Sequence, residues 1–404
     1  APDAPEVNIT PFGATTPLLS NLSYKQFVDY VTLDPAIYLL DVAPTANPAL
    51  RVGTYGGDFT PLPGLVGVIF ASGLLNGDPG FELWVALPDG ETFPLPAYAP
   101  VQVIHNSPSP VVDVYFEDIR VLNDFAFRQA TNFGLFPADE PFALSVAPGA
   151  SQSVNEAIYT LNIDGLSTRK AYVIVAAGIV GNSATPFELY INDQARVRSI
   201  NGPNSVNVAL FHGAPDAPEI DVKLDIGLVL FNDVSFGEFA DYISAPAANY
   251  VIQLTPADDN NQVIQSYQAN LISFGGEALT IFASGLLTGQ PAFELWAARS
   301  NGVTFPLPVF ISTNDLDNKL DYLTLSPNPA VGRMVAGFKL NDNVSLRYAV
   351  RDLTGRMVME GDFGPRNAGE FAEGIDVSGI SAGMYLFELR SEQGVQVRKF
   401  AVQR

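Results

Sequence analysis

Apolar and polar positions alternate in short runs along this chain, the period of two that marks β-strands. Ser205 to Gly213 reads SVNVALFHG, with Val206, Val208, Leu210 and His212 on one face. Val101 to Asn106 does the same with Val101, Val103 and His105. A Pro-rich turn follows each strand, Ser107-Pro108-Ser109-Pro110 or Ala214-Pro215-Asp216-Ala217-Pro218, and then a second strand at Val112–Tyr115 or Ile220–Lys223. Further on, Phe81 to Ala86 runs into Leu87-Pro88-Asp89-Gly90, and Glu91 to Leu95 returns. Pro fixes φ, Asp bonds the backbone and Gly takes positive φ, so this is a hairpin. Arg299-Ser300-Asn301-Gly302 does the same job later. In these hairpins Trp84 and Trp296 share a face with Glu82 and Glu294, opposite Phe81/Leu83 and Phe293/Leu295. One face is predicted to be core and the other is available for a contact between domains.

The hairpins belong to a repeat. Phe70–Pro96 and Phe282–Pro308 align without a gap at an offset of 212 residues (282 − 70), and a fainter copy, with Tyr190 in the tryptophan's place, spans Val175–Ile191. A period of roughly 105 residues is the size of a small domain. The expected map is repeat 1 over 1–98, repeat 2 over 99–204, repeat 3 over 205–310, a polar linker over 311–321 and a distinct domain over 322–404. Spaced aromatics in mid-repeat, Tyr24, Phe27, Tyr30 and Tyr38, match Phe236, Phe239, Tyr242 and Tyr250, with Phe127, Phe133 and Phe142 in repeat 2. They are expected to point into the core, a groove of stacked rings being the alternative. Ala1–Glu6 matches Ala214–Glu219, so repeat 1 is expected to lack its opening strand. Either an N-terminal segment was omitted or removed, or another chain supplies the strand. Donation by a neighbouring copy, from its C-terminal domain or linker, would join subunits head to tail into a filament.

Composition narrows the function. Net charge is −22, which argues against nucleic acid as a partner. Cysteine is absent, which removes disulfides, thiolate zinc sites and cysteine nucleophiles. No apolar run reaches the ~18 residues of a membrane span. No basic, apolar leader precedes the first strand, so an exported form is expected to begin after its cleavage site. The charge is uneven: 1–321 carries a net −23 and 322–404 a net +1, and all four Met lie in the latter.

Two resemblances follow. IHNSPSPVVDVYF and LFHGAPDAPEIDVKL resemble the tandem repeats of secreted bacterial proteins with a VRVVHASPDAP-type signature, the domain of unknown function 4397. The resemblance implies an all-β fold of tandem immunoglobulin-like β-sandwich domains with no assigned activity. At the other end, Pro327-Asn328-Pro329 looks like a YPNP opening and Asp352 with Gly355 like a "D-x-x-G" hairpin. Gly383 with Tyr385 looks like "G-x-Y", and Lys399 lies in a closing "K-x-v-v" strand. In that order they resemble the C-terminal sorting domain of type IX secretion, found in Bacteroidota and relatives. That resemblance implies a small β-sandwich, often cleaved after export, engagement of the secretion translocon, and delivery to the cell surface or beyond.

Chemistry is sparse. His105 and His212 hold the same repeat position, each without a second histidine nearby, and are expected to pin the Pro-rich turn. Acidic loops at 258–261 and at Asp315 and Asp317 do not match a calcium loop, and the Asn8, Asn21 and Asn343 sequons carry little weight. No nucleophile elbow, phosphate loop or HExxH motif occurs. The expectation is a non-enzymatic surface protein without a cofactor: a stalk, adhesin or filament subunit that associates with itself or other surface proteins. A glycan- or protein-binding module and a passive secretion cargo are the alternatives.

Overall fold

The computed structural model describes residues 1–61, 64, 66–310, 319–352, 357–391 and 394–403. It is all-β apart from one 3-10 turn at Val154–Glu156. The chain divides into two compact units, Ala1–Pro308 and Val309–Arg404. Repeat 1 holds β1 (Val7–Pro11), β2 (Leu19–Leu22), β3 (Ile37–Pro44), β4 (Gly53–Asp58), β5 (Val68–Ser72), β6 (Glu82–Ala86) and β7 (Thr92–Pro94). Repeat 2 holds β8 (Ala97–His105), β9 (Val112–Phe116), β10 (Ile119–Phe125), β11 (Gly134–Pro137), β12 (Phe142–Pro148), β13 (Tyr159–Ile163), β14 (Ala171–Ala177) and β15 (Glu188–Ala195). Repeat 3 holds β16 (Ser205–His212), β17 (Ile220–Leu224), β18 (Val229–Val234), β19 (Phe239–Pro246), β20 (Asn249–Pro256), β21 (Gln265–Asn270), β22 (Ala278–Ser284), β23 (Glu294–Arg299) and β24 (Thr304–Pro306).

Repeat 3 shows the complete sandwich. Its opening strand β16 lies between β19, antiparallel, and β22, parallel, with β23 and β24 completing that sheet. The facing sheet runs β18-β17-β20-β21. Val206, Val208 and Leu210 project between the layers onto Val222, Leu254, Tyr267 and Leu295, as the alternation requires. Repeat 2 follows the same plan, with β11-β8-β14-β15 over β10-β9-β12-β13. Repeat 1 departs from it. Its β5-β6-β7 sheet has three strands and β5 is an edge, while residues 27–34, the counterparts of β19, form no strand. Its core shrinks to Val42, Val52, Tyr55, Leu83, Val85 and Leu95 among the described residues.

The repeats join in two ways. Between repeats 1 and 2, β4 pairs with the start of β8 (Thr54 with Tyr98, Tyr55 with Ala97), so one sheet runs through both. The expected boundary at 98/99 therefore falls inside β8. The Thr168 hydroxyl locks the seam, accepting from the Thr54 N–H at 2.9 Å and donating to the Tyr98 carbonyl at 2.8 Å. Between repeats 2 and 3 the contact is face to face. Ile104, Phe133, Val173 and Val175 bury against Phe211, Phe282 and Ala298 in a second apolar layer outside either sandwich core.

The C-terminal unit holds β25 (Leu320–Val331), β26 (Arg333–Leu340), β27 (Val344–Asp352), β28 (Met357–Arg366), β29 (Gly369–Asp376), β30 (Gly383–Ser391) and β31 (Gly394–Gln403), in the order β28-β27-β30-β31-β25-β26-β29. The sheet closes over on itself: Phe338 of β26 stacks on Phe363 of β28 at 5.9 Å, with Phe387, Leu389 and Phe400 beside it in the core. Leu320 and Asp321, placed in the linker by sequence, already belong to β25. Residues 311–318 of that linker and most of the expected turns at 352–355 and 392–394 lie outside the described residues.

Candidate functional site

Both histidines lie at the inner end of the opening strand, fully buried. His105 Nε2 is 2.9 Å from the Pro110 carbonyl, and His212 Nε2 is 2.9 Å from the Pro218 carbonyl. A carbonyl only accepts, so Nε2 carries the proton. Nδ1 then faces the backbone N–H of Ser107 or Ala214 at 3.4 Å. Burial pushes both imidazole pKa values down from 6.5, opposed by the proline carbonyl that Nε2 serves. The rings are thus neutral struts between strand and turn.

Two further polar devices were not singled out in the sequence. Asp113 and Asp221, on β9 and β17, are buried and accept the N–H of Asp124 at 2.8 Å and of Asp233 at 2.7 Å. Both donor residues, Asp124 and Asp233, turn there through positive φ, 51° and 53°. Burial would raise the Asp113 pKa, but hydrogen bonds from Ser151, the Asp124 N–H and Arg120 hold it below the usual carboxylate range. In repeat 1 Asn8 takes this place and accepts from the Asn21 N–H at 3.0 Å. At the Pro-rich turn, Asp216 accepts the N–H groups of Leu287 and Thr288, both at 2.8 Å, and Asp3 accepts those of Leu75 and Asn76 at 2.8 and 2.9 Å. The signal was present: Ala-Pro-Asp-Ala-Pro occurs in repeats 1 and 3, whereas repeat 2 has serine there.

The hairpin faces separate by role. Leu83, Leu189 and Leu295 enter the three cores. In repeats 2 and 3 the opposite face, with Tyr190 and Trp296, makes the domain interface. Arg128 from repeat 2 is its polar centre. It lies over the Trp296 ring at 4.9 Å, ion-pairs with Glu294, donates to Ser284 Oγ at 3.0 Å and to the Ala292 carbonyl at 2.9 Å. Thr304 donates its hydroxyl to the Arg128 carbonyl at 2.7 Å. The expectation of core-pointing aromatics fails in repeat 1, and in repeats 2 and 3 Phe133 and Phe239 pack into the layer between the repeats rather than into a sandwich core. Tyr24, Phe27 and Tyr30 are exposed, Phe27 at 89 %, whereas Phe239 and Tyr242 are half-buried. The latter lie in or beside a strand that pairs with β16, and repeat 1 has no such strand to hold them.

Among the described residues no group of three or more His, Asp or Glu could hold a metal ion. The acidic loop at 258–261 is spent on itself, Asp259 accepting from the Asn261 N–H at 2.9 Å and Asn260 from Thr255 at 2.8 Å. In the C-terminal unit, Asn328 sits between Pro327 and Pro329 and bridges to β31. Its Oδ1 accepts the Ala401 N–H at 2.9 Å, and its Nδ2 donates to the Lys399 carbonyl at 3.5 Å, a donor that the flanking prolines lack. Tyr385 is buried on Phe400 and donates to the Ser381 carbonyl at 2.8 Å. Asp352 pairs across the sheet with Tyr385. Gly383 opens β30, and Lys399 points to solvent from β31. Gly355 lies outside the described residues.

Residues 324–403 match the family model described as a secretion system C-terminal sorting domain. The chain ends in a type IX secretion sorting domain. It is therefore addressed to the extracellular space or the cell surface, and the sorting domain implies contact with the secretion machinery. Among the described residues no helix is long and apolar enough to cross a membrane. Residues 206–301 match the domain of unknown function DUF4397. No curated protein matches the chain. Among solved structures, PorZ of Porphyromonas gingivalis, a surface component of the type-IX secretion system, is similar at 9% identity and TM-score 0.16. That alignment covers 92% of this chain and 50% of PorZ, so the chain spans about half of PorZ's length. A tetra-tandem repeat from the extending region of a large adhesion protein is similar at 12% identity and TM-score 0.18, covering 100% of this chain and 93% of that one. Likenesses this weak carry no argument about function.

Proposed function

We propose that this is a secreted surface protein with a structural, non-enzymatic role, its three sandwiches forming the body of a stalk, adhesin or filament subunit. The carrying observation is the way the repeats are welded. A shared sheet joins repeats 1 and 2, and a buried apolar layer centred on Phe211 and Phe282 joins repeats 2 and 3. A string of independent binding modules has no need of such seams, whereas a load-bearing or spacing element does. The open edge of β5 adds a place where a donated strand extends the body. Electron microscopy of the purified chain tests this reading: elongated particles or fibres are expected. Saturable binding to surface polysaccharide by compact monomers would favour a glycan-binding module instead. Deleting residues 322–404 is expected to leave the repeats folded but retained in the periplasm, checked by fractionation. Surface display of the truncated chain would remove the role given to the sorting domain.

A further inference from the structure

The face that repeat 3 offers to repeat 2 is present a second time, uncovered, on repeat 1. Arg128 reads Ser284, Glu294, Trp296 and the Ala292 carbonyl, with Phe282 packed beside it and Thr304 on its own carbonyl. Subtracting 212 gives Ser72, Glu82, Trp84, the Gly80 carbonyl, Phe70 and Thr92, and all five side chains are identical. The receptor is also pre-assembled. Trp84 Nε1 donates to Glu82 at 2.7 Å, as Trp296 Nε1 donates to Glu294 at 2.9 Å. Glu82 joins no ion pair among the described residues. Phe70 is 39 % exposed where Phe282 is fully covered.

The slot beside β5 is the second half of the same site. In repeat 3 it is filled by β16, parallel to β22 from Asn207 to His212, and the chain passes through Gly213 into Ala214. Asp3 and Asp216 anchor their turns by the same pair of bonds, which sets Ala1 where Ala214 sits. A strand in the repeat 1 slot therefore ends beside Ala1.

We propose that repeat 1 is the docking site for one more sandwich of the repeat 2 kind. That sandwich places an arginine on Glu82 and Trp84, and supplies a strand that lies parallel to β5 and ends beside Ala1. This rests on the structural reading above and names what covers the body's open end. A second copy is not the occupant, because its repeat 2 already spends the Arg128 face on its own repeat 3, with that side chain only 14% exposed.

The test duplicates residues 97–213 ahead of Ala1 in the full chain. Hydrogen exchange at Val68–Ser72 is expected to slow at least about a hundredfold relative to the parent chain. Arg128→Glu in the added copy alone is expected to reverse most of that gain. Exchange as fast as in the parent overturns the proposal. A synthetic Ser205–Gly213 peptide gives a second probe that needs no new fold: it is expected to protect Val68–Ser72 of the parent chain, and a scrambled peptide is not. Should the extended chain fail to fold, absence of protection by the peptide overturns the proposal. Concentration-dependent protection of β5 in the parent chain alone assigns the slot to a second copy, and also overturns it. Compact, glycan-binding monomers on micrographs would sink the structural reading while leaving the exchange result unchanged.

Discussion

Strands β5 and β22 hold the same place in repeats 1 and 3 and share much of their sequence, yet their surroundings are opposite. Ile281 is 6 % exposed and Phe282 not at all, while Ile69 and Phe70 are 38 % and 39 % exposed. Ile281 faces the sandwich core and Phe282 faces repeat 2. In repeat 1 no strand pairs with the outer side of β5 and no second sandwich packs on it among the described residues, so both side chains stay open. A pattern of side chains specifies which faces want burial. Burial itself is supplied by what lies next to them.

The widest gap is expected from removing the outward phenylalanine. Phe282→Ala opens a cavity in a closed interface and should cost about 3–5 kcal/mol, while Phe70→Ala, at a half-open edge, should cost about 1 kcal/mol or less. Denaturant titration of the two variants checks this, and equal losses would break the comparison. Arg128→Ala comes next. Its partner Glu294 is partly exposed, so solvent screening holds the expected loss to about 1–2 kcal/mol. Trp296 emission should shift to the red while Trp84 stays unchanged; a matching shift of Trp84 would mean that Arg128 is not local to the second junction. His212→Gln should cost roughly 1 kcal/mol, one buried hydrogen bond. Elemental analysis should find no metal bound before or after, and a metal lost with the histidine would refute its role as a strut.

The smallest effect is on pH. Burial keeps His105 and His212 below their ordinary pKa of 6.5. The unfolded chain then binds protons that the folded chain does not, so stability falls as pH drops from about 6.5 toward the folded-state pKa and levels off beneath it. Repeat 1 has no histidine and should lack this component. Site-resolved exchange between pH 7 and 5 would show it, and parallel weakening of repeat 1 would assign the effect to carboxylates instead.

Much of the fold was legible because strands, turns and repeats are written locally. The alternation around Val206 and Val208, the Asn301-Gly302 turn and the Pro327–Pro329 motif each act within a few residues. What escaped depends on distant partners. The sequence around Tyr24 to Tyr30 is as aromatic as its counterpart, and nothing within it says that β16 has no equivalent alongside. Arg128 reads as one basic residue in a loop until its partners, more than 150 residues away, are brought to it. The split of the hairpin into a core face and an interface face was visible, but which was which followed from Leu83, Leu189 and Leu295 all turning inward.

The parallel placement of β16 beside β22 also decides how repeat 3 carries tension. From β22 the chain reverses into β23 and again into β24, so β24 runs in the same sense as β16. The chain therefore enters at one end of the sheet, at Ser205, and leaves from the other, beyond Pro306. A pull between those points acts along the strands, and the ladder from Asn207 to His212 is loaded in shear, its bonds sharing the force rather than opening one by one. Forced unfolding along that direction is set by the unfolding rate rather than by equilibrium stability, so the parallel pairing of β16 with β22 is the ladder whose breaking would limit it.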